Sequence, residues 1–235
     1  MKQYGFTGKG TGKLGSSVFA ISGGEQIVRQ YNPIVSNPQT EAQTEQRTKF
    51  KLLTQLAAAM SGQIAFRKSG MTSARNKFVS ANSKSVAFAE GVATKYLTDI
   101  TLTGGSVSIP DLQVDRDSAT SLSVQLNSAA GSNVARVVYV VYRTTADNKL
   151  QLVEEKTISE AGVNRNFATT FTVPNEDVVI YAYGIIDNNA RAKAAFEDYQ
   201  ANAGENESTL EVLKSLSVSD YTLTETVSAL SSKQG

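Results

Sequence analysis

The residue pattern changes near position 99, and this change constrains the fold more than any other feature of the chain. Beyond it, short runs of Ser, Thr, Val, Ile, Leu and Tyr alternate with turn residues at the spacing typical of an antiparallel β-sandwich. A turn over 146–149 is expected to join two of the strands. The predicted strands are 106–109, 121–127, 135–144, 150–155, 167–173 and 178–186.

One of these runs differs from an ordinary half-buried strand. Residues 136–143 have the sequence Arg-Val-Val-Tyr-Val-Val-Tyr-Arg, which is apolar at odd and even positions alike. A strand with one face in solvent would alternate apolar and polar residues. The run therefore predicts a central strand that is covered on both faces, by the opposite sheet and by helices.

The chain begins with a glycine-punctuated arm, residues 5–15, which we expect to be mobile unless a partner holds it. Its glycines match the dinucleotide pattern G-x-G-x-x-G, but no strand precedes them and no βαβ unit follows, so a flexible basic arm is the better interpretation. Two β-prone runs, 16–21 and 26–31, then flank a Gly-Gly turn and predict a β-hairpin. Because an isolated hairpin is marginal in water, this one needs the rest of the chain or another subunit.

Helical periodicity follows the hairpin. A helix is expected over about 39–67, with Asn37 or Thr40 as its N-cap, and a second helix over 72–82 would complete a helical hairpin. The apolar stripe of the first helix recurs at three- and four-residue spacing. It comprises Phe50, Leu53, Ala57, Met60 and Ile64.

These patterns predict an α+β fold in which a β-hairpin and a helical hairpin precede an Ig-like antiparallel β-sandwich. We expect three parts: residues 1–97, the sandwich at 98–190, and a C-terminal extension at 191–235. In the extension, residues 210–216 fit either a short helix or a strand, and a frayed tail is expected after Ala229.

The charges are distributed unevenly along the chain. Residues 1–97 hold thirteen Lys and Arg against four Glu, a net charge of +9, whereas residues 98–235 hold ten against eighteen acids, a net charge of −8. Such asymmetry indicates either an anionic partner for the first part or contact between the two parts. An ordinary solvated surface is the other interpretation of the cations. The candidate nucleic-acid or partner contacts are Lys9, Lys13, Arg29, Arg67, Lys68, Arg75 and Lys77.

The chemistry available to an enzyme is sparse, because the chain contains no cysteine and no histidine. The commonest general base and the commonest transition-metal ligands are therefore missing. The acidic groups at Asp111, Asp115 and Asp117, and at Glu154 and Glu155, lack the spacing of a calcium loop. We expect no catalytic residue, no metal site and no cofactor.

Three segments in the first fifty residues carry a family resemblance. They are the Gly-Lys-Leu-Gly-Ser-Ser-Val run at 12–18, the Ile-Val-Arg run at 27–29, and residues 37–50, which follow N-P-x-T-x-A-Q-x-x-Q-R-x-x-F. The sequence resembles an uncharacterised family, a domain of unknown function found in Bacteroidetes genomes and their phages, over most of residues 8–190. The resemblance implies a later Ig-like region and a minor virion or accessory structural role, and it brings no assigned activity.

The leading hypothesis is thus a non-enzymatic structural or assembly protein of a phage or prophage, whose partners are other copies or other virion proteins in a homo- or hetero-oligomeric assembly. The alternatives are sequence-independent nucleic-acid binding and a surface- or carbohydrate-binding β-sandwich module. For the last, a platform of Tyr139, Tyr142, Tyr181 and Tyr183 could bind sugars. No apolar stretch suits a signal or a membrane span, so synthesis in the cytoplasm is expected, with later incorporation in a virion and no membrane partner.

Overall fold

The computed structural model describes residues 10–22, 24–33, 39–89, 92–110, 112–127, 133–145, 149–159, 165–202 and 209–234. Within these residues the chain is α+β, as expected, with four α-helices and twelve strands in four mostly antiparallel sheets. None of the described helices is both long enough and apolar enough to cross a lipid bilayer.

The first sheet, called here the N-terminal sheet, has the order β1-β2-β3. The predicted hairpin is confirmed as β2 (Ser17–Ser22) and β3 (Glu25–Gln30). The structure adds β1 (Gly12–Leu14), which forms from part of the arm that was expected to be mobile. Gly15 lies between β1 and β2 at φ 60°, a left-handed conformation that glycine adopts without strain. Gly12 therefore lies in an edge strand, and Gly15 lies in the turn that follows it.

Two helices follow the N-terminal sheet, α1 (Glu41–Ala59) and α2 (Ala74–Ala81). The Thr40 side chain accepts a hydrogen bond from the Gln43 backbone nitrogen at 3.4 Å, which confirms Thr40 as the N-cap. Helix α1 ends well before the expected residue 67, because the chain turns at residues 60–63. A hairpin of β4 (Val86–Ala89) and β5 (Val92–Lys95) comes next and was not predicted.

Phe50 does not lie on the buried stripe of α1, contrary to the prediction. Its side chain is 63% exposed, whereas Met60 and Ile64 are buried beyond the end of the helix. The reason is that only the C-terminal half of α1 packs on the body of the molecule, through Leu53, Leu56 and Ala57. In the N-terminal half of α1, Phe50 keeps the spacing of the apolar stripe, but this half of the helix has no buried residue among those described.

The β-rich region contains two sheets, with strand orders β12-β11-β8-β9 and β10-β7-β6. Five of the six predicted strands are confirmed. They are β7 (Ser121–Asn127), β8 (Arg136–Thr144), β9 (Leu150–Ser159), β10 (Asn166–Thr172) and β11 (Val178–Asp187). The structure adds β6 (Gln113–Ser118), which was not predicted. The predicted turn at 146–149 lies mostly outside the described residues.

The prediction of a strand at 106–109 is wrong. This segment forms a single bridge, between Val107 and Thr224. Its neighbourhood is held instead by side-chain contacts, since the Thr103 hydroxyl donates to the Thr224 carbonyl at 2.6 Å. Gly105 also lies so close to the backbone of residues 223–224 that a regular ladder has no room for a side chain there.

The C-terminal part consists of α3 (Ala190–Asn202), α4 (Thr209–Ser215) and β12 (Tyr221–Ser231). Strand β12 pairs with β11 along the edge of the four-stranded sheet. The expected frayed tail after Ala229 is wrong, because β12 continues to Ser231 and the next residues are bonded. Arg116 donates to the Ser232 carbonyl at 2.8 Å, and the Lys233 nitrogen donates to Asp177 at 3.0 Å.

The four-stranded sheet separates two hydrophobic cores. On β8, alternate residues point to opposite sides: Val138, Val140 and Tyr142 join the core beneath the helices. The intervening residues of β8, among them Tyr139, join the core shared with the three-stranded sheet. The prediction that this strand is covered on both faces is confirmed. Side chains from α1, the sheet, α3, α4 and β12 all contribute to the helical core.

Candidate partner-binding surfaces

The cations predicted from the sequence separate into two groups. Lys13 and Arg29 lie on the N-terminal sheet, and Lys9 falls outside the described residues. Arg67, Lys68 and Arg75 line a groove between α1 and α4, and Lys77 lines a smaller cleft that adjoins it. The structure thus contains two separate candidate surfaces.

One face of the N-terminal sheet, called here its apolar face, carries Leu14, Phe19, Ile21 and Val28 beside the polar residues Ser17, Gln26 and Gln30. The strand register places these residues on the same side, since Phe19 faces Val28 and Leu14 faces Ser17. Leu14 is 72% exposed and Val28 is 56% exposed. Within the described part of the chain, no helix or strand outside this sheet makes an extensive contact with it.

The opposite face of the N-terminal sheet is mixed. It presents Lys13, Arg29 and the exposed Ile27, and the Lys13 ammonium lies 3.6 Å from the centroid of the Tyr31 ring. That distance is short enough for a cation–π interaction. The two cations of this sheet therefore lie on the face opposite Leu14, Phe19, Ile21 and Val28, together with Val18, Ala20 and Ile27.

The second surface, called here the basic groove, lies between the C-terminal half of α1, the connection from α1 to α2, and α4. It encloses about 780 Å³. Its basic lining residues are Arg67, Lys68, Arg75 and Lys214, and no acidic residue lines it among the described residues. The apolar lining includes Ala57, Ile64, Ala65, Leu210, Leu213 and Leu216.

A smaller cleft of about 340 Å³ adjoins the basic groove and shares the Phe66, Arg67 and Tyr221 walls with it. It adds Lys77, and its described lining also contains no acidic residue. The two cavities therefore adjoin, and their described lining contains cations but no carboxylate; Glu211, which pairs with Lys214, lies outside the lining.

Arg67 is fixed in place at the junction of the two cavities. Its Nε donates to the Tyr221 hydroxyl at 2.6 Å, and its Nη2 donates to the carbonyls of Leu216 and Ser217 at 3.3 and 3.1 Å. The guanidinium also lies 4.1 Å from the centroid of the Tyr221 ring. Burial raises the pKa of Tyr221, while the bond from Arg67 opposes that shift. Tyr221 thus remains a neutral hydroxyl that orients the arginine.

The remaining cations of the basic groove differ in how they are held. Arg75 donates to the Thr54 carbonyl at 3.1 Å, and Lys214 pairs with Glu211 at 2.6 Å on the same short helix. Lys68 is exposed and has neither a hydrogen bond nor an ion pair with any described residue. A ligand anion would therefore meet one free ammonium and three cations that are already oriented.

The turn after α4 sets the position of Tyr221 at the edge of the basic groove. Asp220 accepts hydrogen bonds from Asn189 at 2.9 Å and from the Ser217 nitrogen at 2.7 Å. The bond from Asn189 is the main cause of the lowered pKa of Asp220, followed by the bond from Ser217. The ionised carboxylate therefore closes this turn.

The structure contradicts the predicted tyrosine platform. Tyr139, Tyr142, Tyr181 and Tyr183 are at most 1% exposed, because they form the two faces of the four-stranded sheet. Burial raises the pKa of each of them. Among the described residues, no group of three or more His, Cys, Asp or Glu side chains is placed to hold a metal ion.

Sequence reasoning missed α4 as one wall of the basic groove. The available signal was the three-residue spacing of Leu210, Leu213 and Leu216, which favours a helix over a strand. Lys214 lies within that segment and becomes a groove cation only when α4 packs beside α1.

The chain matches no protein-family model, and no curated protein matches it.

Proposed function

We propose that this protein is a non-enzymatic structural protein that assembles with copies of itself and with other virion proteins, as a minor virion or accessory component of a phage or prophage. The observation that carries the proposal is the apolar face of the N-terminal sheet. A three-stranded sheet whose apolar face meets water lacks the burial that ordinarily stabilises such a sheet.

The energetics favour a protein partner on this face. Full burial of one Val, Leu, Ile or Phe side chain contributes about 1.5–3 kcal/mol relative to exposure. Leu14, Ile21 and Val28 are 72%, 45% and 56% exposed, and Phe19 is half-buried. Covering this face therefore gains part of that amount for each side chain, which opposes the loss of translational and rotational freedom on association. Exposed contiguous apolar surface on a folded protein is typical of an interaction site.

The edges of the N-terminal sheet support the same role. Among the described residues, β1 and β3 are the edge strands of this sheet, and an edge strand has unpaired backbone groups along one side. Addition of a strand from a neighbouring subunit at such an edge would supply main-chain hydrogen bonds. Stacking of apolar faces and pairing of edges could then act together in an assembly.

The Ig-like identity of the β-rich region belongs to this proposal. What supports it is two antiparallel sheets that share a core, with the first, second and fifth strands (β6, β7, β10) in one sheet and the third, sixth and seventh (β8, β11, β12) in the other, as in an Ig domain. The fourth strand, β9, departs from the constant-type division, because it pairs with β8 and not with β10. In the proposed assembly this region is displayed or packed in a shell, while the N-terminal sheet docks on the neighbouring subunit.

Sequence-independent nucleic-acid binding explains the cations of the basic groove less well. Phosphate binding needs positive charge but gains nothing from an aliphatic floor such as that formed by Leu213 and Leu216. The four tyrosines predicted to bind carbohydrate are buried in the two cores, so they cannot form a binding platform. Neither alternative accounts for the apolar face of the N-terminal sheet.

Sedimentation velocity over a concentration series tests the proposal. We expect the wild type to associate at tens of micromolar, and the double variant Ile21→Lys/Val28→Lys to remain monomeric because both charges enter the apolar face. The matched control is Ile27→Lys on the opposite face, which should associate like the wild type. A wild type that stays monomeric throughout and is absent from gradient-purified phage particles would refute the proposal.

A further inference from the structure

We propose that the basic groove binds an acidic amphipathic helix of a partner protein. None of the residues of the N-terminal sheet lines this groove, so the inference does not depend on the assembly role of that sheet. The two proposals can therefore fail separately.

The first support is charge complementarity. Four cations line the groove and, among the described residues, no carboxylate does. Three of the cations are oriented by bonds to the protein, and the Arg67 Nη1 and the Lys68 ammonium are left available for an incoming anion. A groove lined by cations and free of carboxylates among its described lining residues selects ligands with carboxylates and disfavours basic ones.

The second support is the floor of the groove. Ile64, Leu213 and Leu216 are largely buried beneath it, and Val218 projects from its rim with 74% of its surface exposed. A volume of about 780 Å³ is large enough to take several side chains of a bound segment. A helix would place apolar residues at i, i+3, i+4 and i+7 against this floor and acidic residues toward the flanking cations.

The aromatic groups at the groove argue against a nucleic acid as its ligand. Binding of single strands relies on exposed rings on which bases stack. The Tyr221 ring is covered by the Arg67 guanidinium, and Phe66 packs edge-on against the buried Phe78 with centroids 6.4 Å apart. Both rings are therefore engaged within the protein.

The test uses the full chain and a displayed library of random 16-residue peptides. Peptides are selected on the wild type and counter-selected on the double variant Lys68→Glu/Arg75→Glu, in which two exposed rim cations are reversed. The matched control is Lys51→Glu/Lys84→Glu, which makes the same charge change at exposed lysines outside the groove lining. Circular dichroism verifies that both variants are folded.

We expect the enriched peptides to carry Asp or Glu together with apolar residues at three- and four-residue spacing. In fluorescence anisotropy, such a peptide should bind the Lys68→Glu/Arg75→Glu variant about tenfold or more weakly, and the control variant like the wild type. Selection of peptides without acidic residues, or equal binding to both variants, would overturn the inference. So would tighter, salt-sensitive binding of a 20-nucleotide single-stranded DNA that competes with the peptide, which would assign the groove to nucleic acid.

Discussion

The N-terminal sheet and the sheet of β6, β7 and β10 are both three-stranded and antiparallel, yet they differ completely in burial. The second sheet places Leu122, Leu126 and Phe167 against the four-stranded sheet, where each is fully buried. In the first sheet, Leu14 and Val28 lie on a face that also carries Gln26 and Gln30, and both apolar side chains remain exposed. Two antiparallel sheets of the same size are thus a core sheet in one region and an uncovered sheet in the other.

The difference teaches that strand patterning specifies an apolar face but not what covers it. Covering requires a second surface of matching shape, and the four-stranded sheet supplies one only to its own neighbours. The stability of the monomer should therefore lie in its two cores, and the N-terminal sheet should contribute little to it.

The largest effect is expected from removal of one aromatic ring in each sheet. Phe167→Ala should lower the free energy of unfolding by about 3–5 kcal/mol, because it leaves a cavity in a fully buried site. Phe19→Ala should change it by less than about 1 kcal/mol, because that ring is only half-buried. Urea unfolding followed by circular dichroism measures both. Equal losses would mean that the N-terminal sheet shares the stability of the cores.

A substitution at Gly105 tests how closely this residue packs against the backbone of β12. A β-carbon at Gly105 would lie 2.2 Å from the Leu223 carbonyl oxygen, which must move. We expect Gly105→Ala to destabilise the protein by about 3 kcal/mol. Gly62→Ala is the control, since a β-carbon there meets no atom within 4 Å, and its midpoint should stay near that of the wild type. If Gly105→Ala unfolds at the same midpoint as the wild type, Gly105 does not lie this close to the Leu223 carbonyl oxygen.

Arg116 should have the next largest effect. Its guanidinium donates hydrogen bonds to the backbone carbonyls of Glu176, Ser232, Ala119 and Pro174. Because Arg116 lies on β6, these bonds join the sheet of β6, β7 and β10 to the residues that follow β12. Arg116→Met keeps much of the side-chain volume but removes the donors, and should cost about 2 kcal/mol in thermal or urea unfolding. Limited proteolysis of the variant should release the last few residues first. If the variant resists proteolysis as well as the wild type does, Arg116 does not hold the C-terminal residues in place.

The smallest effect is expected in the pH dependence of stability. The pKa of Asp220 is lowered from its ordinary value of 3.8, so its ionised form stabilises the native state above that value. As the pH falls below about 3.8 and through the native pKa, this contribution disappears. Asp220→Asn should therefore be less stable than the wild type at pH 7, with the difference shrinking at pH 3. A difference that stays constant between these pH values would show that the charge has no role.

Much of the β-rich fold could be predicted because its signals are local. The run at 136–143 indicated a strand covered on both sides, and β8 has that environment. Strand β6 was missed since Asp115, Arg116 and Asp117 interrupt its apolar alternation. Strand β12 was missed because its many Ser and Thr residues resemble a polar tail, and only pairing with β11 identifies it.

The candidate surfaces were predictable only as a list of charges. Arg67, Lys68, Arg75 and Lys77 were identified from charge density, but nothing in their spacing indicates that α4 completes a groove beside them. Phe50 shows the converse limit, because helical period alone placed an exposed ring in the core. Periodicity reports which residues share a face, whereas tertiary contacts decide whether that face is covered.

Hydrogen–deuterium exchange, compared between dilute and associated protein, tests the central claim most directly. In dilute monomer, we predict that amides of β2 exchange through local opening, while those of β8 and β11 exchange only with global unfolding. On association, protection of β2 should rise, and the Ile21→Lys/Val28→Lys variant should not show this rise. Protection of β2 in the dilute monomer equal to that of β11 would contradict the account, because the N-terminal sheet would then be stabilised by its own chain.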